Sequence, residues 1–226
     1  MRPTFRFMLA LVPLCLVAAA PARAQEGTIY VVRYIEVAPG AEGKTEGLLK
    51  QLAQASRKEA GNQRFEILQR ASPANQFATF EIWKDKDAQD AHMAAASTKS
   101  FADGVSASLL APIDDRPCIA ADPASMMPAA GEARYVITHV DFAPPQREKG
   151  LTFLKAAAEA GKKEAGNLGW GALQQTARNN HFEVVELWKD EKADDAHEML
   201  PATKEFRANV QPLLGAHYDR RWYKAL

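Results

Sequence analysis

The sequence predicts an α+β protein with two tandem ferredoxin-like modules (β-α-β-β-α-β), packed sheet to sheet as a barrel-like intramolecular pair. One observation is an internal repeat: Lys58-Glu59-Ala60-Gly61-Asn62 recurs as residues 163–167, an offset of 105 residues without a gap. The other is that both copies show the same succession of strand and helix patterns. A repeat that extends over a whole module indicates a tandem duplication.

Further matches at this offset cover both copies. They pair Tyr30-Val31 with Tyr135-Val136, Trp83-Lys84-Asp85 with Trp188-Lys189-Asp190, Asp90-Ala91-His92 with Asp195-Ala196-His197, and Phe101 with Phe206. We therefore place the first domain at residues 28–120, an Ala- and Pro-rich linker at 121–132, and the second domain at 133–226.

The first module opens with a β-branched run at 29–37, which Pro39-Gly40 ends. Apolar residues at helical spacing predict a helix over 44–60, with Gly61 placed where a left-handed cap would lie. Strands at 65–70 and 76–83 form a hairpin across the Ser-Pro-Ala-Asn turn. In the second copy the strand at 135–142, the helix at 148–165 and a turn at 178–180 repeat this design.

The second half of each module begins at an aspartate. Asp85 gives an acidic first turn before a predicted helix at 88–96, which suits the helix dipole. A further helical stretch covers 99–110, and a strand near 116–120 closes the module. The corresponding last strand of the second copy is predicted at 217–224.

The third strand of each module does not alternate between apolar and polar residues as a half-exposed strand should. Its aromatic face carries Phe77, Thr79, Glu81 and Trp83, and the twin strand carries Glu186 and Trp188 on the same face. We expect the other module to cover this face, so that the two sheets lie face to face.

The first two dozen residues have the pattern of a cleavable signal peptide. Arg2 and Arg6 precede an apolar stretch at 7–20, and Ala22-Arg23-Ala24 supplies the small residues that signal peptidase accepts. A membrane anchor is the alternative, but the apolar run is shorter than the ~20 residues that a span needs. We expect cleavage after Ala24, a periplasmic or secreted protein, and no membrane association after cleavage.

Composition limits the classes of partner. Without residues 1–24 the chain has 202 residues and a net charge of −3, with His neutral and no basic stripe, which disfavours a nucleic-acid partner. Cys118 would be its one cysteine, so no internal disulfide can form. A small apolar strand residue is the favoured interpretation of Cys118, over a reactive thiol.

The segment 80–85 (Phe-Glu-Ile-Trp-Lys-Asp), followed by Ala88, Ala91-His92 and Phe101, resembles the signature of the antibiotic biosynthesis monooxygenase (ABM) family. The segment 185–190, followed by Ala193, Ala196-His197 and Phe206, resembles it again. The resemblance implies the dimeric α/β-barrel fold, which a tandem chain reproduces internally. It also implies oxidation of phenolic or quinol-like aromatics by O2 without a cofactor, the substrate being its own reductant.

Two departures from the family stand out. Many members carry a second histidine soon after the first, where this chain has Lys99 and Lys204. Haem-degrading relatives have an asparagine on the first strand, where this chain has Arg33 and Thr138, so haem degradation loses its main support.

The resemblance makes His92 and His197 the candidate catalytic bases, since histidine exchanges protons near neutral pH. The alternative interpretation is a pair of helix histidines that only cap or pack. The candidate substrate-binding residues are Trp83, Trp188, Tyr34, His139, Glu81 and Glu186. Core anchors are the favoured interpretation of the two tryptophans, over pocket walls, and each glutamate needs a partner such as a backbone amide or a lysine.

The leading hypothesis is an exported, cofactor-independent, monooxygenase-like protein that acts with O2 on a small aromatic or quinol. One alternative is a non-catalytic protein that binds a small apolar ligand, and another is a structural pseudo-dimer with filled cores. We expect no metal, because His139, His181 and His217 lack ligand spacing, and no cofactor, because no phosphate-binding loop occurs. Further assembly of the two-module chain stays open.

Overall fold

The computed structural model describes residues 27–121 and 133–226. The predicted signal peptide, its cleavage site and nearly all of the predicted linker lie outside these residues. The first module comprises β1 (Ile29–Glu36), α1 (Glu42–Ser56), β2 (Asn62–Arg70), β3 (Gln76–Trp83), α2 (Lys86–Ala94), α3 (Ala96–Ser106) and β4 (Asp114–Ala120). This is the predicted order of elements.

The second module repeats this order. It comprises β5 (Arg134–Asp141), α4 (Arg147–Gly161), β6 (Asn167–Gln175), β7 (His181–Trp188), α5 (Glu191–Met199), α6 (Pro201–Val210) and β8 (Asp219–Ala225), with short 3-10 turns before α4 and after α6. No helix within 27–121 or 133–226 has both the length and the apolar character to cross a membrane.

All eight strands belong to one closed antiparallel barrel in the order β1-β3-β2-β8-β5-β7-β6-β4. Two of the joins link the modules: β4 pairs with β6, and β8 pairs with β2. The final strand of each module therefore completes the sheet of the other. This confirms the predicted α+β fold as an intramolecular α/β barrel, closed by hydrogen bonds at both seams.

The assignment of the sheet faces was wrong. Trp83 packs with Phe65, Leu49 and Phe101 in the layer between the first sheet and its own helices. The face that meets the other module carries Ala78, Phe80 and other side chains of the barrel interior. Both faces of the strand are buried. Its composition therefore could not show which face packs against the helices and which faces the other module.

Each repeated Lys-Glu-Ala-Gly-Asn motif forms the turn between the first helix and the second strand. The helix α1 ends at Ser56, before the predicted boundary, and Gly61 adopts φ +86°. A Cβ on Gly61 would lie 2.6 Å from the Ala88 side chain, and one on Gly166 would lie 2.6 Å from Ala193. The glycine thus permits both the left-handed backbone and the close approach of the next helix.

Apolar side chains form three clusters: one layer under each pair of helices and one inside the barrel. Cys118 lies in the barrel interior as a buried free thiol. The two outer layers contain His92 and His197, and the barrel interior contains Tyr34 and His139.

Candidate functional site

The second module holds a histidine–glutamate pair between its sheet and its helices. The Nδ1 atom of His197, on α5, lies 2.9 Å from Oε2 of Glu164, in the turn after α4. The imidazole packs on the Trp188 indole with ring centroids 4.8 Å apart. Asp190 accepts a hydrogen bond from the backbone N–H of Ala193, which caps α5 and fixes the direction in which the helix leaves β7.

The first module repeats this geometry. His92 Nδ1 lies 2.9 Å from Glu59 Oε2, the ring stacks on Trp83 at 4.6 Å, and Asp85 caps α2. The two copies therefore preserve a carboxylate–imidazole–indole assembly whose parts come from three separate segments of the module.

A second buried carboxylate lies on the other side of each imidazole. Glu186 accepts a hydrogen bond from the indole N–H of Trp188 at 2.9 Å, and Glu81 accepts one from Trp83 at the same distance. The partner is thus the neighbouring tryptophan, where we expected a backbone amide or a lysine. Burial raises the pKa of Glu186, against the opposing charges of Arg220 and His197.

The arginine beside this carboxylate comes from a different strand in each module. Arg33 on β1 faces Glu81 and pairs with Asp115 on β4. In the second copy Thr138 occupies the position of Arg33, and Arg220 on β8 occupies that of Asp115, 3.7 Å from Glu186. Each module therefore has one buried arginine near this glutamate, but it lies on the first strand of the first module and on the last strand of the second.

The two histidines differ in access. The His92 side chain is 0% exposed and that of His197 is 12% exposed. A cavity of about 40 Å³ adjoins His197, and its walls include Ala157, Ala160, Trp170, Phe206, Arg207 and Tyr218. At the position of Ala157 the first module has the buried Leu52, and a cavity of about 140 Å³ lies beside it, but the lining of that cavity does not include His92.

Two polar residues of this pocket have no counterpart in the first module. Arg207 lies over the ring of Tyr218 at 5.7 Å and pairs with Glu198, and burial raises the pKa of the Tyr218 phenol. The equivalent positions hold Ala102 and Ile113. In the second module the pocket therefore reaches the histidine and is partly polar.

Not all predicted site residues come together. His197 and Glu186 line this pocket, Trp188 packs against His197, and His92, Trp83 and Glu81 form the sealed equivalent. Tyr34 and His139 lie on the opposite face of the sheet, where both contact Glu183 at 2.9 Å inside the barrel.

Sequence reasoning missed the glutamates that hold the histidines. Glu59 and Glu164 both belong to the repeated Lys-Glu-Ala-Gly-Asn motif, so a signal for them was present. Arg207 and Tyr218 gave no such signal because they occur in one copy only. Within 27–121 and 133–226 no three His, Cys, Asp or Glu side chains form a group that could hold a metal ion.

The family described as antibiotic biosynthesis monooxygenase matches the sequence twice, at residues 28–104 and 133–209. The chain belongs to the antibiotic biosynthesis monooxygenase family. The two matches include both histidines and both repeated glutamates, so each module carries the core of one ABM domain. No curated protein matches the sequence.

Solved two-module structures share the fold of this ABM protein. A candidate monooxygenase of Fusobacterium nucleatum superposes with a TM-score of 0.76 at 17% identity, covering 88% of this chain and 93% of that one. A candidate monooxygenase of Lactobacillus acidophilus gives 0.71 at 15% identity, covering 88% and 94%. An anthrone oxidase-like protein gives 0.70 at 13% identity, covering 89% and 92%. At these identities the likeness concerns the fold.

Proposed function

We propose that this ABM protein is a monooxygenase-type oxidoreductase that acts with O2 on a small aromatic or quinol substrate, without a cofactor. The observation that carries the proposal is the solvent-accessible His197–Glu164 pair at an apolar pocket. Its walls of Trp170, Phe206 and alanine side chains suit an aromatic ring. The monooxygenase-type neighbours share this fold, which supports the reaction class.

The geometry gives the two imidazole nitrogens different roles. If Nδ1–H donates to Glu164, Nε2 is left with a lone pair. Nε2 lies 3.9 Å from Glu186, beyond hydrogen-bond distance, so it is free to accept a proton from a phenolic hydroxyl. Glu164 then stabilises the imidazolium that forms.

The proposed reaction balances without an external reductant. The deprotonated, electron-rich substrate loses two hydrogen atoms and gains one oxygen atom as a carbonyl, while the other oxygen atom leaves as water, so the substrate itself supplies all four electrons that O2 accepts. Arg207, which lines the pocket and also pairs with Glu198, places a positive charge where it would stabilise a peroxide-like anion. The 40 Å³ cavity holds only a few waters, so a quinol enters when the half-buried Phe206 and Arg207 side chains rotate outward.

The proposed location is the periplasm or the exterior, on the basis of the signal-peptide pattern in residues 1–24. A binding protein for a small apolar ligand is the second candidate function. The apolar walls favour it equally, because ring burial alone requires no proton acceptor. The two candidates differ in what His197 does.

Oxygen uptake by the purified protein, with a panel of hydroquinones and anthrone-like phenols, separates them. We expect uptake above the spontaneous rate, lost in His197→Gln and kept in His92→Gln, the matched control from the closed module. Circular dichroism would confirm that both variants fold. Uptake that both variants retain would remove His197 from the mechanism, and binding without uptake would support the binding protein.

A further inference from the structure

The barrel interior has an apolar half and a polar half. Val32, Phe80 and Leu187 fill one half. Towards the other end the inward positions are polar, and they include Tyr34, Arg116, His139, Glu183, Arg221 and Tyr223. These residues come from both modules, and Glu183 has no counterpart in the first copy, where Ala78 stands.

A cavity of about 170 Å³ opens at the polar end, on the opposite face of the sheet from His197. It is larger than the pocket beside the histidine. Its polar lining consists of Tyr34, Glu36, Gln76, Asp114, Arg116, Arg221 and Tyr223.

Two arginines fix one wall of this cavity. Arg116 and Arg221, equivalent residues of the two modules, lie 4.6 and 5.2 Å from the centre of the Tyr34 ring. The Tyr34 hydroxyl donates to Glu183 at 2.9 Å. Since the two guanidinium groups already lie over the Tyr34 ring, a ligand has no open face of this ring on which to stack.

The charges around the cavity are paired within the protein. Arg116 binds Asp114 at 2.7 Å and Glu183 at 2.8 Å, and Arg221 binds Asp219 at 2.9 Å. Glu183 also accepts from Gln175 and contacts His139. An anion in the cavity would meet Glu36 and Asp114, and a cation would meet two guanidinium groups. The lining therefore favours an uncharged ligand.

One polar group of the lining lacks a well-formed hydrogen bond. Tyr223 is 2% exposed and lines the cavity, and its hydroxyl makes no hydrogen bond of normal geometry within the described part of the chain, although the Arg221 guanidinium lies near enough to act on its pKa. Buried hydroxyls are almost always hydrogen-bonded in folded proteins, so this one points to a missing partner.

We propose that the polar end of the barrel binds a small, uncharged, hydroxyl-rich molecule, of the size of a polyol or a monosaccharide. Hydroxyl groups both donate and accept, which matches a lining that mixes arginine and tyrosine donors with carboxylate and amide acceptors. One ligand hydroxyl pairs with Tyr223. The site is separate from the proposed oxidation pocket and stands whether or not that pocket is catalytic.

Ligand-observed saturation-transfer NMR on the full protein tests this, with xylitol and glucose as probes and acetate and methylammonium as charged comparators. We expect millimolar binding of an uncharged probe, at least tenfold tighter than either ion. Tyr223→Phe should weaken it at least fivefold. Tyr30→Phe, which removes a hydroxyl towards the apolar end, should leave it unchanged.

Circular dichroism establishes that both variants are folded before binding is compared. The proposal is overturned if neither uncharged probe binds, if acetate or methylammonium binds as tightly, or if Tyr223→Phe binds as the unmodified protein does. None of these results depends on oxygen uptake, so failure here and failure of the proposed oxidation are distinguishable.

Discussion

Each histidine of this ABM protein is held by a glutamate about thirty residues earlier in the chain. Glu59 and Glu164 each contact a histidine Nδ1 atom at 2.9 Å, yet one imidazole is sealed and the other is accessible. The identical contact in two different environments makes the first module a built-in control for the second.

Glu164→Gln should lower the rate of oxygen uptake by about 10- to 100-fold, because an amide keeps the shape but cannot stabilise an imidazolium by charge. Glu59→Gln should leave the rate unchanged, since His92 has no access to substrate. Steady-state kinetics on both variants measure this. Equal losses in the two would show that the glutamates act through the stability of the fold.

Glu183 should make folding stability depend on acid pH. Burial would raise its pKa, but the hydrogen bond to His139 and the charge of Arg116 outweigh burial and hold the pKa below its ordinary value near 4.5. A carboxyl with a depressed pKa stabilises the fold above its unfolded pKa, and this stabilisation is lost as pH falls through the folded pKa.

The free energy of unfolding of the unmodified protein should therefore fall below about pH 4.5 more steeply than that of Glu183→Gln. At pH 7 the variant should be the less stable of the two, because it leaves Arg116 and His139 without their anionic partner. Urea titrations between pH 3 and 7 measure the difference. Parallel pH profiles for the two proteins would contradict the assignment.

At the scale of elements, the turn between the first helix and the second strand does two things at once. It presents the glutamate to the histidine, and its glycine lets the next helix approach within contact distance. Gly61 has φ +86°, and a Cβ there would lie 2.6 Å from that of Ala88.

Gly61→Ala should lower the free energy of unfolding by about 1–3 kcal/mol or more, because left-handed backbone and a steric clash add together. Gly47→Ala on the exposed face of α1, where a Cβ meets nothing within 4 Å, should raise it by about 0.5–1 kcal/mol. Chemical denaturation of both variants tests the contrast. A neutral Gly61→Ala would show that the turn relaxes.

The helix α4 decides whether the second pocket is open. Ala157→Leu installs in the pocket wall the side chain that the first module carries at the equivalent Leu52, and it should reduce kcat/KM for oxygen uptake at least tenfold without loss of stability. Ala156→Leu, on the exposed face of the same helix, is the matched control and should have no effect. Full activity in Ala157→Leu would place the reaction elsewhere.

For the whole molecule, the final strand of each module pairs with the first strand of its own module and with the second strand of the other, which makes each module depend on the other. β4 pairs with β6, and β8 pairs with β2, so a lone module would expose two strand edges and the apolar half of the barrel interior. A second copy could cover both.

The first module expressed alone, residues 25–121, should therefore form a homodimer in which β2 of each copy pairs with β4 of the other. Its melting temperature should rise with protein concentration, as folding and association are linked. Sedimentation and thermal scans at several concentrations test this. A stable monomer with a concentration-independent melting temperature would show that the modules are independent.

The local sequence pattern was sufficient to predict the strands and helices. The gapless repeat and the strand and helix periodicities predicted eight strands in the observed order, because period and turn residues are local properties. The repeat also marked His92, His197 and their tryptophans. It could not separate the two faces of β3, since both are apolar and only long-range packing decides which one the helices cover.

The sequence by itself therefore determined the duplication, the module fold and the pairing of two ABM domains in one chain. Only the tertiary structure decided that His92 is sealed while His197 borders a pocket, and that Tyr34 and His139 meet at Glu183 inside the barrel. The physical reason is that a cavity depends on the volumes of side chains far apart in the chain, whereas a strand or a helix depends on residues a few positions apart.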